Sequence, residues 1–201
     1  MLIKLYEKDT NHKQVEEVVE ILRNNGVIIV PTDTIYAFCC SLNNPKGIDK
    51  IHQLKRNKSY NLSLLCSDLS QLSQFTKPIS NPVFKLMRNN LPGPFTFILE
   101  ANNNVPKLFR SKKKSIGIRV PDNNIVKEIT SLLGVPLVAT SIHSDDVVQE
   151  YITDPELIHE KFENLVNLVI DGGYGNNTPS TVIDCTLPEP EVIREGAGEI
   201  V

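Results

Sequence analysis

HKQVEEVVEILRNNGVIIVP, His12 to Pro31, is the stretch that decides the fold. Val15, Val18, Val19 and Leu22 recur at the spacing that lays one apolar stripe along a helix, and Gly26 follows where a helix end takes a residue at positive φ. The run VIIV then has no polar alternation, which predicts a short strand buried on both faces. A helix leading directly into a doubly covered strand is a building unit of an α/β sheet.

The same logic extends along the chain. Strands are expected at Leu62 to Cys66, Phe95 to Leu99, Ser115 to Val120, Leu137 to Ser141, Leu168 to Ile170, Thr181 to Cys185 and Val192 to Arg194. Helices are expected after Ser80-Asn81-Pro82, over the stripe Ile125, Val126, Ile129, Leu132 and Leu133, and from Asp154-Pro155 to about Asn164. Helices and strands interleave, so the fold class is α/β (α+β): a twisted open sheet flanked by helices in one domain, residues 1–201. Strands follow one another near residues 92–120 and 181–194, so the sheet is mixed rather than purely parallel.

With 40% hydrophobic and 22% charged residues, the chain falls among ordinary globular proteins rather than disordered or collagen-like ones. The start, MLIKLYEKDTNHK, turns charged within four residues, and no apolar run reaches the roughly 18 residues of a membrane span, so neither a secretory signal nor membrane insertion is expected. Cys39, Cys40, Cys66 and Cys185 lack CxxC spacing, which fits a reducing cytoplasm and no metal site. The net charge of −3 gives no global case for nucleic acid, but Lys107, Arg110, Lys112, Lys113, Lys114 and Arg119 cluster. They read either as a phosphate seat or as a solvated loop.

Polar clusters stand where strands end, the place where open α/β sheets bind ligands. They are PTDTIYA (31–37), LKRNKS (54–59), LPGPFT (91–96), GIRVP (117–121), ATSIH (139–143), PSTVID (179–184) and IREGAG (193–198). The hydroxyls of Thr32, Ser141 and Ser180 can bond a polar ligand or cap strands and turns. Arg119, on an otherwise apolar strand, needs an acidic partner, either a ligand carboxylate or a protein one. Lys55 and Arg194 can meet phosphates or remain solvated. Tyr36 is expected to pack with its hydroxyl bonded, and His12, His52 and His159 fall on helices with no role assigned.

In this order and spacing the clusters resemble the YrdC/YciO family, over residues 31–198. The resemblance implies that family's twisted sheet with a positively charged concave groove. It also implies a threonylcarbamoyl-AMP synthase-like site that joins L-threonine, bicarbonate and ATP with Mg2+ in tRNA modification. It places Thr32, Arg119, Ser141 and Ser180 on the threonine side, and Lys55, Ser59, His143 and Arg194 on the nucleotide side. The family's affinity for double-stranded RNA and tRNA points to Lys112, Lys113 and Lys114.

The chain departs from the synthase pattern at two positions. Lys-x-Arg has become Lys55-Arg56-Asn57, and Ser-x-Asn has become Ser141-Ile142-His143. These changes, with NLSLLCSDLSQLS (61–73) and FKLMRNNLPGPFTFIL (84–99), resemble the YciO branch and imply weak or absent adenylate synthesis. Two alternatives stay open: an RNA-binding protein without synthase activity, or an enzyme acting on the threonylcarbamoyl group already on tRNA. A water-activating residue for the latter is not singled out among Asp33, His143 and Asp145.

Overall fold

The computed structural model describes residues 1–55, 61–106, 114–142 and 153–201. The first half of the chain forms β1 (Leu2–Lys4), α1 (His12–Arg23), β2 (Val27–Val30), β3 (Ala37–Ser41), α2 (Pro45–Lys55), β4 (Ser63–Leu65), α3 (Asn81–Asn90) and β5 (Phe95–Glu100). The second half forms β6 (Ser115–Arg119), α4 (Asn124–Leu133), β7 (Leu137–Ser141), α5 (Pro155–Phe162), β8 (Leu168–Asp171), β9 (Thr181–Asp184) and β10 (Glu191–Arg194). A short 3-10 helix, Leu69–Gln74, precedes α3.

Helix starts are fixed by side chains that accept otherwise orphaned amide protons. Asn11 takes Lys13 N, Asn123 takes Val126 N and Asp154 takes Glu156 N. All ten strands join one sheet in the order β1-β8-β2-β3-β7-β4-β6-β5-β9-β10. Among the described residues four pairs are parallel (β1 with β8, β2 with β8, β4 with β6, β5 with β9) and the other five are antiparallel, so the sheet is mixed as the strand spacing implied.

Side chains along β2 point alternately into two cores. Val27 and Ile29 join Phe38, Phe97, Met87 and Ile158 on one face, while Ile28 and Val30 meet Val15, Val19, Ile125 and Ile129 of α1 and α4 on the other. All four β2 residues are buried to within about one per cent, and full burial of each contributes about 1.5–3 kcal/mol. The second core stops at Leu65, Leu137 and Ala139. Beyond them on the same face, Ser63, Ile98, Gly117, Val182 and Asp184 are only half-buried, so this half of the sheet is left partly open.

β1 and β3 go beyond what hydrophobic patterning predicted. Ala-Phe-Cys-Cys-Ser has neither β-branched residues nor alternation, yet it pairs with β2 and β7 at the centre of the sheet and is buried throughout. Burial pushes the Cys40 and Cys66 thiols up to about 12. The unfolded chain releases these protons near pH 9, so above that pH it binds fewer protons than the folded chain and stability falls with rising pH. Urea unfolding at pH 8.5 and pH 10.5 should show a loss of about 1–2 kcal/mol per thiol, and the double change Cys40→Ala, Cys66→Ala should flatten that dependence. A wild-type profile flat to pH 10.5 would contradict the burial.

Candidate functional site

The loop from Pro31 to Tyr36, between β2 and β3, carries a directed chain of hydroxyls. Thr32 Oγ1 donates to Ile35 O at 2.9 Å and accepts from Thr34 N at 3.1 Å. Its one proton is thereby committed, so in the 3.1 Å contact between the two hydroxyls Thr34 is the donor. Thr34 Oγ1 in turn accepts from an Arg119 terminal nitrogen at 2.9 Å, and the same nitrogen donates to Asp33 Oδ1 at 2.7 Å. The second Asp33 oxygen accepts from Asp122 N at 3.0 Å.

Arg119, at the C-terminal end of β6, is about nine-tenths buried, with 11% of its side chain exposed against 9% for Asp33. Burial pushes the guanidinium below its ordinary pKa, Asp33 opposes that shift, and the like charge of nearby Arg194 adds to it. Arg119 Nε is buried and has no hydrogen-bond partner among the described residues. One edge of the fork is therefore held by the protein, and an N–H beside it still lacks an acceptor.

Arg194, on β10, reaches back to β9 and donates from Nε and a terminal nitrogen to Ser180 O at 3.2 and 2.8 Å. The terminal nitrogen also lies 3.3 Å from Ser180 Oγ, which shares a 2.7 Å hydrogen bond with Thr96 Oγ1 of β5. Thr96 sits over Gly117. A Cβ built on Gly117 would lie 2.7 Å from Ser63 Oγ and 3.1 Å from Thr96 Cγ2, so no larger residue fits there without displacing both. Ser63 pairs with Ala139, two residues before Ser141, and the Ser141 carbonyl accepts from Lys55 Nζ at 3.0 Å.

Thr32, Lys55, Arg119, Ser141, Ser180 and Arg194 thus come from six separate segments onto one continuous region. They are linked through Thr34, Thr96 and a floor of small residues, Ala139, Ser63 and Gly117. Lys114 is not part of it: it is exposed and precedes β6, at the strand end away from Arg119. Ser59, Lys112, Lys113 and His143 lie outside the described residues.

Pairing of Arg119 with a protein carboxylate was one of its two sequence readings, and the partner comes from the threonine-rich motif itself. Thr34 and Thr96 were not singled out, although both stand inside the quoted clusters. Asp33 is occupied at both oxygens and orients the guanidinium, so it is not a free base. Among the described residues no group of three or more His, Cys, Asp or Glu could hold a metal ion, and no helix is long and apolar enough to cross a membrane.

Tyr36 braces the site from behind. It is fully buried, donates from its hydroxyl to Gly173 O at 2.6 Å and accepts from Gly172 N at 3.1 Å. Burial, with the nearby carboxylates of Asp171 and Asp154, pushes its pKa up to about 12, while the Gly172 amide works in the opposite direction. Its hydroxyl is therefore bonded, as the sequence reading expected.

An open mixed sheet flanked by helices, with hydroxyls and two arginines on its partly uncovered half, places the chain among the α/β open-sheet domains. The known protein most useful for comparison, YciO of Escherichia coli, is 38% identical over 98% of this chain and 95% of its own length. Its crystal structure superimposes at a TM-score of 0.91, covering 99% of this chain and 97% of that one. A putative threonylcarbamoyl-AMP synthase of Methanocaldococcus jannaschii is 31% identical over 97% of this chain and 92% of its own. P. abyssi Sua5, solved as a complex with L-threonine, shares the fold at a TM-score of 0.89 and 23% identity, over 98% of this chain and 57% of that one. A sequence model of the Sua5, YciO and YrdC family, described by the words Telomere recombination, matches residues 20–196. The chain belongs to this family, and it is related to threonylcarbamoyl-AMP synthases.

Replacing Tyr36 with Phe removes one acceptor and one donor from part-buried backbone groups. Tyr36→Phe should cost about 1–3 kcal/mol in urea unfolding and raise amide hydrogen exchange at Gly172 above that of the β2 amides. Unchanged exchange at Gly172 would mean that the phenol does not hold this loop.

Proposed function

We propose that the chain handles a threonylcarbamoyl group in the service of tRNA modification, at a synthase-like site with two halves. The amino-acid half consists of Thr32, Arg119, Ser141 and Ser180; the nucleotide half consists of Lys55, Ser59, His143 and Arg194. The observation that carries this reading is the buried Arg119 Nε without an acceptor among the described residues, beside a terminal nitrogen already oriented by Asp33 and Thr34. A carboxylate arriving there gains a charge-assisted hydrogen bond without having to order the side chain first. The L-threonine complex of P. abyssi Sua5 and the putative synthase of M. jannaschii support threonine as the donor of that carboxylate.

In the synthase reaction L-threonine, bicarbonate and ATP give threonylcarbamoyl-AMP, pyrophosphate and water. No described side chain of the site stands free as a general base, and this chemistry asks chiefly for positioning and charge neutralisation. Lys55 and Arg194 would oppose the phosphate charge, and magnesium would enter with the nucleotide as part of the substrate. Asn57 and His143 replace the arginine and asparagine of the synthase pattern, so adenylate formation should be weak.

Calorimetric titration tests the amino-acid half. L-threonine should bind the wild type, and Arg119→Lys, which keeps the charge but loses the planar fork, should weaken binding roughly 10- to 100-fold. No heat with the wild type would overturn the reading. Pyrophosphate release dependent on threonine and bicarbonate tests the nucleotide half. It should be far slower than in a synthase relative and should rise when Asn57→Arg and His143→Asn are combined. A wild-type rate matching the synthase, or no gain in the double variant, would count against the division into halves.

A further inference from the structure

The segment DGGYGNN, residues 171–177, follows β8 and lies against the Pro31–Tyr36 loop. Four hydrogen bonds fix its backbone beside the Tyr174 ring: Tyr36 Oη to Gly173 O, Gly172 N to Tyr36 Oη, Gly175 N to Thr153 O at 2.8 Å and Asn176 N to Thr34 O at 3.1 Å. Asp171 Oδ1 adds a fifth, from Gly173 N at 2.9 Å. Gly173 holds φ at +92°, a conformation that L side chains rarely adopt. A Cβ on Gly175 would lie 2.7 Å from the Tyr36 ring. The loop is therefore tightly specified, yet its one large side chain is aimed outward. Tyr174 is 81% exposed, more than any other described aromatic.

That ring contributes almost nothing to the fold. Among the described residues it has no ring or cation partner, whereas exposed Tyr6 lies 5.8 Å from the Lys4 ammonium. Its neighbours in the chain are glycines and asparagines, which bring no aliphatic side chain of the kind that surrounds a protein hot spot or enters a lipid surface. A lone flat π-face flanked by small polar groups suits another flat polar ring. Its position also matters: the loop is bonded to Thr34 O, and Thr34 Oγ1 accepts from Arg119. The tyrosine therefore stands at the rim of the cationic, hydroxyl-lined region.

We infer that Tyr174 is a stacking platform for an unpaired nucleobase whose attached group enters the site. This inference rests on the proposed nucleotide and tRNA chemistry, and it adds the residue that would hold the base. The base can belong to a free nucleotide or to a single strand of RNA; stacking on an aromatic face tolerates either. The rigid backbone lowers the ordering cost, because little beyond the ring's own torsions is frozen on binding.

The chain contains no tryptophan, so Tyr174→Trp introduces a single reporter. Its emission should be quenched by a hexamer of riboadenylate and barely affected by a fully paired RNA duplex. Quenching by AMP as well identifies a free nucleotide as sufficient; quenching by the hexamer alone identifies a strand. Tyr174→Ala should weaken hexamer binding roughly 5- to 100-fold, and Tyr174→Phe should stay close to wild type. The slope of log affinity against log salt should not change in Tyr174→Ala, because no phosphate contact is lost. Unquenched emission at saturating hexamer, hexamer affinity unchanged in Tyr174→Ala, or no wild-type binding of either adenine probe overturns the inference. L-threonine calorimetry on Tyr174→Ala separates the two readings. Normal threonine heat with lost hexamer binding leaves the amino-acid half standing, and absent threonine heat in the wild type fails that half while the quenching result still judges Tyr174.

Discussion

A guanidinium with about one-tenth of its side chain in contact with water is the constraint around which the rest of the site is arranged. Removing such a charge from water is costly, and the cost is offset only when its donors find acceptors. Asp33 and Thr34 accept from one terminal nitrogen, and Asp122 N keeps the carboxylate in place through its other oxygen. The hydroxyl relay from Thr34 to Thr32 to Ile35 O then fixes the loop that supplies both partners. Nε remains without an acceptor among the described residues, and Arg194 brings a second positive charge close by. The folded protein is thus left with a local excess of positive charge and of donors, a preorganised setting for an anion.

The fold creates the space for this arrangement by covering only part of one sheet face. α1 and α4 pack over β8, β2, β3 and β7, and their core ends at Leu65 and Ala139. On the far side of that boundary the residues that would point into a helix are Ser63, Gly117 and Thr96. Helix cover there would need large apolar side chains, which Gly117 cannot supply and which Ser63 and Thr96 leave no room for. The same small floor that forgoes a core lets a ligand approach the backbone.

Much of this was legible from residue patterns, for a definite reason: where burial is dictated by one element alone, the pattern shows it. VIIV read as a doubly buried strand because no other placement satisfies four consecutive β-branched residues, and α4 read as a helix from its single apolar stripe. β3 did not, because Ala-Phe-Cys-Cys-Ser owes its strand conformation to neighbours on both sides rather than to its own residues. β10 was legible as a strand at Val192 to Arg194, and as the last strand of the sheet it is exposed along its length. In the site, hydroxyls and cations at strand ends could be named from the sequence. The choice of Asp33 as the partner of Arg119 could not, because the two lie 86 residues apart and only the folded sheet brings them together.

Which elements carry the two proposed halves bears on how such a site changes. The threonine side hangs mainly on the β2–β3 loop, the ends of β6 and β7 and the start of β9, with Asp33–Arg119 at its centre, and the Ser180–Arg194 bond ties it to the nucleotide side. The nucleotide side depends on the end of α2 and on β10, and the bond from Lys55 to the Ser141 carbonyl ties it to the threonine side a second time. That bond uses a backbone acceptor, so it survives any side chain at the neighbouring positions. Among the described residues the Arg119 cluster is held by Asp33, Thr34 and Asp122 N, all on the β2–β3 loop or at the end of β6. Coupling between distant groups is carried by shared partners, and here the Ser180–Arg194 and Lys55–Ser141 bonds cross between the proposed halves. A change that displaced Lys55 or Arg194 would therefore reach the threonine side through these bonds first, ahead of the Asp33–Arg119 pair at its centre.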